Sequence, residues 1–350
     1  MKICILTHSM DVSAGWGRYS NQLISGLRER GHDVLVLTER GGEYPILRRG
    51  FGMFLSAIRT IPYIRRCDVI HALDVYPFGI IVWLATRFIR RPYFVSGVGT
   101  YSVAPLKNKA TSWMARAACR NAVTVLAISS HTASQMKECA PDIRIRVVNP
   151  GISIHTCTVK VGPMSSRIIS VGALKERKGY HIALEAFSRA RKKLSDLTYT
   201  IIGDQRDKRY FKQLQQQAVD LGIADLVTFK QHLSEDELLK EYESAGLFLL
   251  PSINSEGHFE GFGLVFLEAA SFGLPVIGTT HNGIADAVGR DNGILVPQED
   301  IDATTDAIVK IFSDDSQWHK MSDASIAWAG LHPSSHMIDA YERAYQSELS

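Results

Sequence analysis

The chain has 350 residues, of which 45% are hydrophobic and 21% charged; these values exclude general disorder and leave room for two domains of common size. Net charge is only +3, yet residues 1–160 hold 21 Lys and Arg against 9 Asp and Glu, whereas residues 161–350 hold 18 against 27, so an acidic partner is expected for the first part. Five scattered cysteines with no Cys-x-x-Cys pair read as buried or free thiols in a reducing compartment, and no apolar run approaches the ~20 residues of a membrane span. The opening residues read as a strand rather than an apolar leader. A soluble or peripheral, cytoplasmic protein is expected.

In chain order, residues 2–7 form a strand and a glycine-containing loop follows. Residues 18–30 have helical spacing closed by Gly31, and 34–38 is the next strand. Further strands are expected at 68–73, 93–98, 123–128 and 145–148, with helical stretches between them. A stretch rich in Gly, Pro, Ser and Thr at 150–163 marks a boundary. The second part repeats the grammar: strands at 167–171, 198–202, 226–229, 247–250, 275–277 and 294–296 alternate with helices at 180–193, 210–221, 235–244, 263–271 and 301–312. The pattern predicts two α/β domains, 1–155 and 156–332, each a doubly wound parallel sheet. Ligands bind beyond the carboxyl ends of such strands, so a cleft between the sheets is the default site.

The most informative segment begins at Pro251-Ser252 and runs through Glu256 to Glu260-Gly261-Phe262-Gly263-Leu264 and Glu268. Backbone N–H groups where the helix opens, unhindered at Gly261 and Gly263, suit anions or hydroxyl oxygens. Glu260 precedes the helix and Glu268 follows about two turns later. A nucleotide sugar needs that layout, with ribose hydroxyls, diphosphate and sugar hydroxyls at successive depths. The plain alternative is a capping Glu260 and a solvated Glu268. The segment Gly172-Ala173-Leu-Lys175-Glu-Arg177-Lys178-Gly179 brings three cations to a strand-to-helix loop. That arrangement suits a diphosphate leaving group, or else is a solvated basic loop. Gly15 and Gly17 follow the first strand, where a tight turn also explains them. Asp300-Ile-Asp302 matches a metal-binding Asp-x-Asp formally but opens a helix, so an N-cap accounts for it. No His, Cys and Asp cluster has metal spacing; neither a cofactor nor an essential metal is expected, and a nucleotide sugar would be substrate. His71 is either a cleft residue or a satisfied strand-end histidine. Residues 51–66 and Arg87, Arg90 and Arg91 mix apolar and basic side chains, which fits two buried helices with solvated ends or a peripheral contact with an anionic membrane. No nucleic-acid recognition motif is present, so no nucleic-acid partner is expected.

The run Glu260-Gly-Phe-Gly-Leu-Val-Phe-Leu-Glu268 resembles the E-x7-E motif of retaining glycosyltransferases of the GT-B fold. Through most of 165–312, including Phe-Leu-Leu-Pro-Ser and Asn-Gly-Ile-Leu-Val-Pro, the chain resembles glycosyltransferase family four, the glycosyl transferases group 1. The resemblance implies two Rossmann-like domains with parallel sheets facing across a cleft. It makes 1–155 the acceptor-binding domain, with a C-terminal helix at about 333–350 packing back on it, and 156–332 the nucleotide-sugar-binding domain. It implies that Glu268 holds the donor ribose, that Glu260 binds hydroxyls of the transferred sugar, and that Lys178 contacts the phosphates. The backbone of Gly261, Phe262, Gly263 and Leu264 would touch the donor, Gly203-Asp204 looks like the donor-side Gly-Asp turn, and Gly15 and Gly17 would face phosphate or acceptor. Ser129 and the turn at 147–152 look architectural. Two positions depart from the pattern: the family arginine falls on Ala173, where Arg177 is the neighbouring substitute, and the family histidine before Gly-Thr falls on Val98. The implied activity is retaining, metal-independent transfer of a hexosyl group from a UDP- or GDP-sugar to a glycan or lipid-linked acceptor hydroxyl. It would serve cell-surface polysaccharide or glycolipid synthesis at the inner face of the cell membrane. The departures leave one alternative, a catalytically inactive GT-B relative acting as a binding or partner subunit.

Overall fold

Alternation of β-branched runs with amphipathic helices produces two six-stranded parallel sheets in the computed structural model, which describes residues 1–11, 15–153 and 165–347. The chain divides into two units, Met1–Gly151 with Ser334–Ser350, and Ile152–Pro333. In the first unit the order is β1 (Lys2–Thr7), α1 (Gly15–Glu29), β2 (Asp33–Thr38), α2 (Gly52–Ile64), β3 (Val69–Ala72), α3 (Ile80–Thr86), β4 (Tyr93–Gly97), α4 (Thr100–Lys107), α5 (Ser112–Asn121), β5 (Val125–Ala127), α6 (Ser130–Cys139) and β6 (Ile145–Val147). The second contains β7 (Arg167–Val171), α7 (Tyr180–Arg191), β8 (Thr198–Ile202), α8 (Lys208–Asp220), β9 (Val227–Lys230), α9 (Glu235–Glu243), β10 (Leu247–Leu249), α10 (Leu264–Ser271), β11 (Val276–Thr279), α11 (Ile284–Ala287), β12 (Gly293–Val296), α12 (Ile301–Phe312) and α13 (Asp315–Gly330). The last helix, α14 (Ser334–Gln346), belongs to the first unit.

The strand orders are β2-β1-β3-β4-β5-β6 and β12-β11-β10-β7-β8-β9. Central strands such as β3, β4, β10 and β11 are buried at every residue. Helices covering both faces of a parallel sheet require such continuous apolar runs. The order reverses direction between β1 and β3 in one sheet and between β7 and β10 in the other. Loops leaving neighbouring strands at a reversal diverge to opposite faces, which opens a crevice at the carboxyl ends. The fold is thus the two-Rossmann GT-B type that the resemblance implies.

Side chains of α14 anchor it to the first unit. Tyr341 and Tyr19 share a short buried hydroxyl hydrogen bond, and Arg30 pairs with Asp339 at 2.5 Å and Glu342 at 2.9 Å. His71 is fully buried between the Tyr345 hydroxyl (2.6 Å, Nδ1) and Ser96 Oγ (2.9 Å, Nε2). Burial pushes its pKa down to about 3, so it stays neutral. It is the satisfied strand histidine of the two options, not a cleft residue. The helix α13 goes unread in the sequence because its apolar positions follow no clear stripe. Trp318 nonetheless fixes it, donating to Gly246 O at 2.7 Å. Asp300 caps α12 through Ala303 N at 2.8 Å. Of the two apolar-basic segments, α3 is buried along most of its length, whereas α2 leaves Phe54, Leu55 and Ile58 exposed, with Phe51 94% exposed just before it.

Candidate active site

The loops that follow β7 and β10 meet at the reversal of the second sheet. The β7 loop makes a short 3-10 turn over Glu176–Lys178 and closes on Gly179, in the left-handed region at φ +72°. A Cβ on Gly179 would stand 1.9 Å from the Pro251 carbonyl oxygen, so only glycine lets the two loops touch. Ile253 N donates to Arg177 O at 2.8 Å and completes the seam. Across it, Lys178 Nζ lies 2.5 Å and Arg177 NH1 3.0 Å from Glu260 Oε2. Lys178 and Glu260 have side chains only 11% and 14% exposed. Burial acts to raise the Glu260 pKa, but the Lys178 and Arg177 charges outweigh it and hold the carboxyl below its ordinary value. Burial lowers the Lys178 pKa, with Glu260 opposing. One carboxylate facing two cations leaves positive charge over in a poorly hydrated place, which is what an incoming diphosphate needs.

Glu260 therefore does not cap α10. Gly263, left-handed at φ +89°, occupies the N-cap without any side-chain bond. The Glu260-Gly261 stretch is clamped from behind, since Gly283 N donates to Glu260 O at 2.8 Å. Phe262 is buried and Leu264 half-buried. Glu268, one turn into α10, is half-buried and accepts a hydrogen bond from the Tyr242 hydroxyl at 3.3 Å, so it is not a fully solvated residue. Gly203, at the end of β8, lies against the loop after β7; a Cβ there would be 1.8 Å from Gly172 O. The structure thus joins Lys178, Arg177 and Glu260 directly. It places Gly261, Phe262, Gly263 and Leu264 beside them in the same loop, and sets Gly203 against the Gly172 loop. Arg177 brings a second cation to the cluster despite alanine at 173. Gly15 and Gly17 belong to the first unit, at the start of α1, with Gly17 packed on the Asp11 carbonyl; Ala14 lies outside the described residues. Among the described residues, no group of three His, Cys, Asp or Glu side chains is arranged to hold a metal ion.

Sequence reasoning missed two features. Ser252 Oγ, beside the seam, is fully buried and without a partner among the described residues. At the carboxyl edge of the first sheet, Glu39 is held by His8 Nδ1 (2.7 Å) and Arg49 Nε (2.7 Å). Asp74, just after β3, accepts from Ser102 Oγ at 2.6 Å and Val75 N at 2.7 Å, and burial pushes its pKa up to about 7. A signal existed: Asp68 and Asp74 are the only acids between Glu43 and Glu138. Ser129 is buried and caps α6 through Thr132 N, an architectural role.

Residues 161–328 match the family model of the glycosyl transferases group 1, and residues 14–156 match that of glycosyltransferase family 4. The chain is 32% identical over 202 residues to the D-inositol 3-phosphate glycosyltransferase of Corynebacterium urealyticum, covering 51% of this chain and 46% of that one. It is 29% identical over 165 residues to the GDP-mannose-dependent alpha-(1-6)-phosphatidylinositol monomannoside mannosyltransferase of Mycolicibacterium smegmatis, covering 46% and 42%. The chain spans about half the length of the relatives it matches. HepE of Anabaena, crystallised in complex with UDP, superposes with a TM-score of 0.82 at 20% identity over 99% of this chain and 100% of that one, a likeness of fold. With each family match falling on one of the two sheets, the chain belongs to the family-four glycosyltransferases of the GT-B fold.

Proposed function

We propose that the protein transfers a sugar from a nucleoside-diphosphate sugar to a hydroxyl of a glycan or lipid-linked acceptor, with retention of anomeric configuration and without an essential metal. The observation that carries the reading is the buried Lys178–Glu260–Arg177 cluster at the β7/β10 reversal. On this reading the second unit binds the donor. Lys178 and Arg177 face its diphosphate, Glu260 orients the sugar, the start of α10 offers backbone N–H groups, and Glu268 takes the ribose. The acceptor oxygen bonds to the anomeric carbon on the face from which the diphosphate departs. The bond to the phosphate oxygen breaks, that oxygen takes the acceptor proton, and the nucleoside diphosphate leaves. No protein base is required, and the two cations supply the positive charge that a metal would otherwise bring. The first unit binds the acceptor near Asp74 and the His8–Glu39–Arg49 cluster. Its basic surface makes a peripheral contact with the anionic inner face of the cell membrane. The relative named as a GDP-mannose-dependent phosphatidylinositol monomannoside mannosyltransferase supports synthesis of cell-surface glycolipid or polysaccharide as the setting.

The test is release of nucleoside diphosphate from a panel of UDP- and GDP-sugars with glycan and lipid-linked acceptors, and assignment of the product anomer by NMR. An α-linked product from an α-linked donor is expected. An inverted product overturns the mechanism, and binding of donors without any turnover favours the inactive partner subunit.

A further inference from the structure

A charged recess lies at the amino edge of the first sheet. It has a volume of about 210 Å3 and is lined by Arg87, Arg90, Arg91, Asn121, Trp83 and Thr86. Two of the guanidiniums are held in place: Arg87 sits 5.9 Å from the centre of the Trp83 ring, and Arg91 donates to the Arg65 carbonyl at 3.2 Å. None of the three arginines forms an ion pair among the described residues, whereas Arg28, Arg30, Arg49, Arg120, Arg167 and Arg177 all do. Helix dipoles do not account for them. The carboxyl ends of α3 and α5 lie here, and a cation suits each, but Arg120 already serves α5 and three arginines remain. Between Glu43 and Glu138 the chain carries 13 Lys and Arg against two acids. Of those two, Asp74 is buried and Asp68 accepts from Lys2 N at 2.8 Å.

The surroundings point to the kind of anion such a recess would take. Phe88, between Arg87 and Arg90 in the chain, is 73% exposed, and Trp113, edge-on to Trp83 at 6.0 Å, is 62% exposed. Arg65, whose carbonyl holds Arg91, follows the end of α2; the exposed Phe54, Leu55 and Ile58 lie toward the other end of that helix, about 10 Å or more along its axis, and do not line the recess. A soluble phosphate has no use for exposed aromatic side chains beside its site. A lipid phosphate does, because its acyl chains bury them. The geometry points to a binding site for the phosphate of an anionic phospholipid, with Arg87, Arg90 and Arg91 on the phosphate oxygens and Phe88 and Trp113 in the acyl boundary. The inference rests on the proposed membrane contact and gives it a defined headgroup site.

The experiment measures binding to vesicles of equimolar phosphatidylcholine and phosphatidylglycerol, and to phosphatidylcholine alone, by co-sedimentation and by Trp emission. The unaltered protein should bind the anionic vesicles, and Arg87→Gln/Arg90→Gln should weaken that binding roughly thirtyfold. The charge-matched control Lys107→Gln/Lys109→Gln, elsewhere on the same unit, should weaken it only a few-fold. Phe88→Ser should weaken binding and lower its salt-resistant part. All variants should keep the parent melting temperature. Equal losses in the two double variants would mean diffuse charge and overturn the recess while leaving the peripheral contact standing. Absence of binding by the parent removes both. Inorganic phosphate that competes vesicles off at low millimolar concentration, or duplex DNA bound as tightly as the vesicles, overturns the lipid assignment.

Discussion

The two units share an architecture but treat charge in opposite ways. The second is acidic, with 18 Lys and Arg against 24 Asp and Glu, while the first holds 21 against 12. In the second unit, cations at the sheet reversal are drawn inward onto Glu260, where low hydration strengthens each contact. In the first, Arg28, Arg30, Arg49 and Arg120 pair near the surface and Arg87, Arg90 and Arg91 form no ion pair among the described residues, and the polar groups drawn inward, His71 and Asp74, are neutral or close to it. An inward charged cluster prepares a site for one small anion, and an outward surplus prepares a surface for an extended one. On the proposed function, one repeated fold divides donor chemistry from attachment in this way.

The comparison breaks most readily at Lys178. Lys178→Ala should lower kcat by about 10²- to 10³-fold, the scale of losing one charge that stabilises a leaving group, with far-UV circular dichroism unchanged; near-normal turnover contradicts the role. Glu260→Gln separates the partners further. Turnover should fall by roughly 10²-fold, yet free nucleoside diphosphate should bind at least as tightly as to the parent, because both cations lose their internal counter-ion; calorimetry reads both. In the first unit, Asp74→Asn isolates a buried carboxyl. The folded pKa, about 7 against an ordinary 3.8, lies above the unfolded one. The native carboxyl therefore keeps its proton where the unfolded one has lost it. Its favourable contribution is complete below pH ~3.8 and is lost as pH rises to about 7. The variant should gain on the parent across that window by up to about 4 kcal/mol, seen as a widening difference between thermal melts; a constant difference would show that Asp74 ionises normally. Smallest of all, Tyr345→Phe removes the hydroxyl from His71 and should cost about 1–2 kcal/mol in denaturant unfolding, leaving donor binding untouched.

Much of this was legible in the sequence, because parallel sheets demand buried strand runs and helices announce their caps. All six strands of each sheet were expected within a few residues of their places, and Gly31 and Asp300 marked helix ends correctly. The helix α13 was not, since its buried positions Trp318, Met321, Ser322, Ser325 and Ala329 keep helical spacing but two of them are serine, which breaks the apolar stripe. The Lys178–Glu260 contact was foreseeable only through resemblance, because 82 residues separate the partners and no local period links them. Spacing alone would have left Glu260 as a cap, a role that Gly263 takes. Asp74 was hidden for a related reason, and so was the recess formed by Arg87, Arg90 and Arg91, which the sequence offered only as solvated helix ends or a membrane contact. Their significance lies in what is absent around them, acids in one case and counter-ions in the other, and burial decides which absence matters.

The most direct test of the central claim is thermal denaturation of the parent and of Lys178→Ala against a panel of UDP- and GDP-sugars. At least one sugar nucleotide should raise the melting temperature of the parent by several degrees and leave that of the variant unmoved. If no sugar nucleotide stabilises the parent, or if one stabilises both proteins equally, the cluster at Lys178, Arg177 and Glu260 is not where a sugar diphosphate binds.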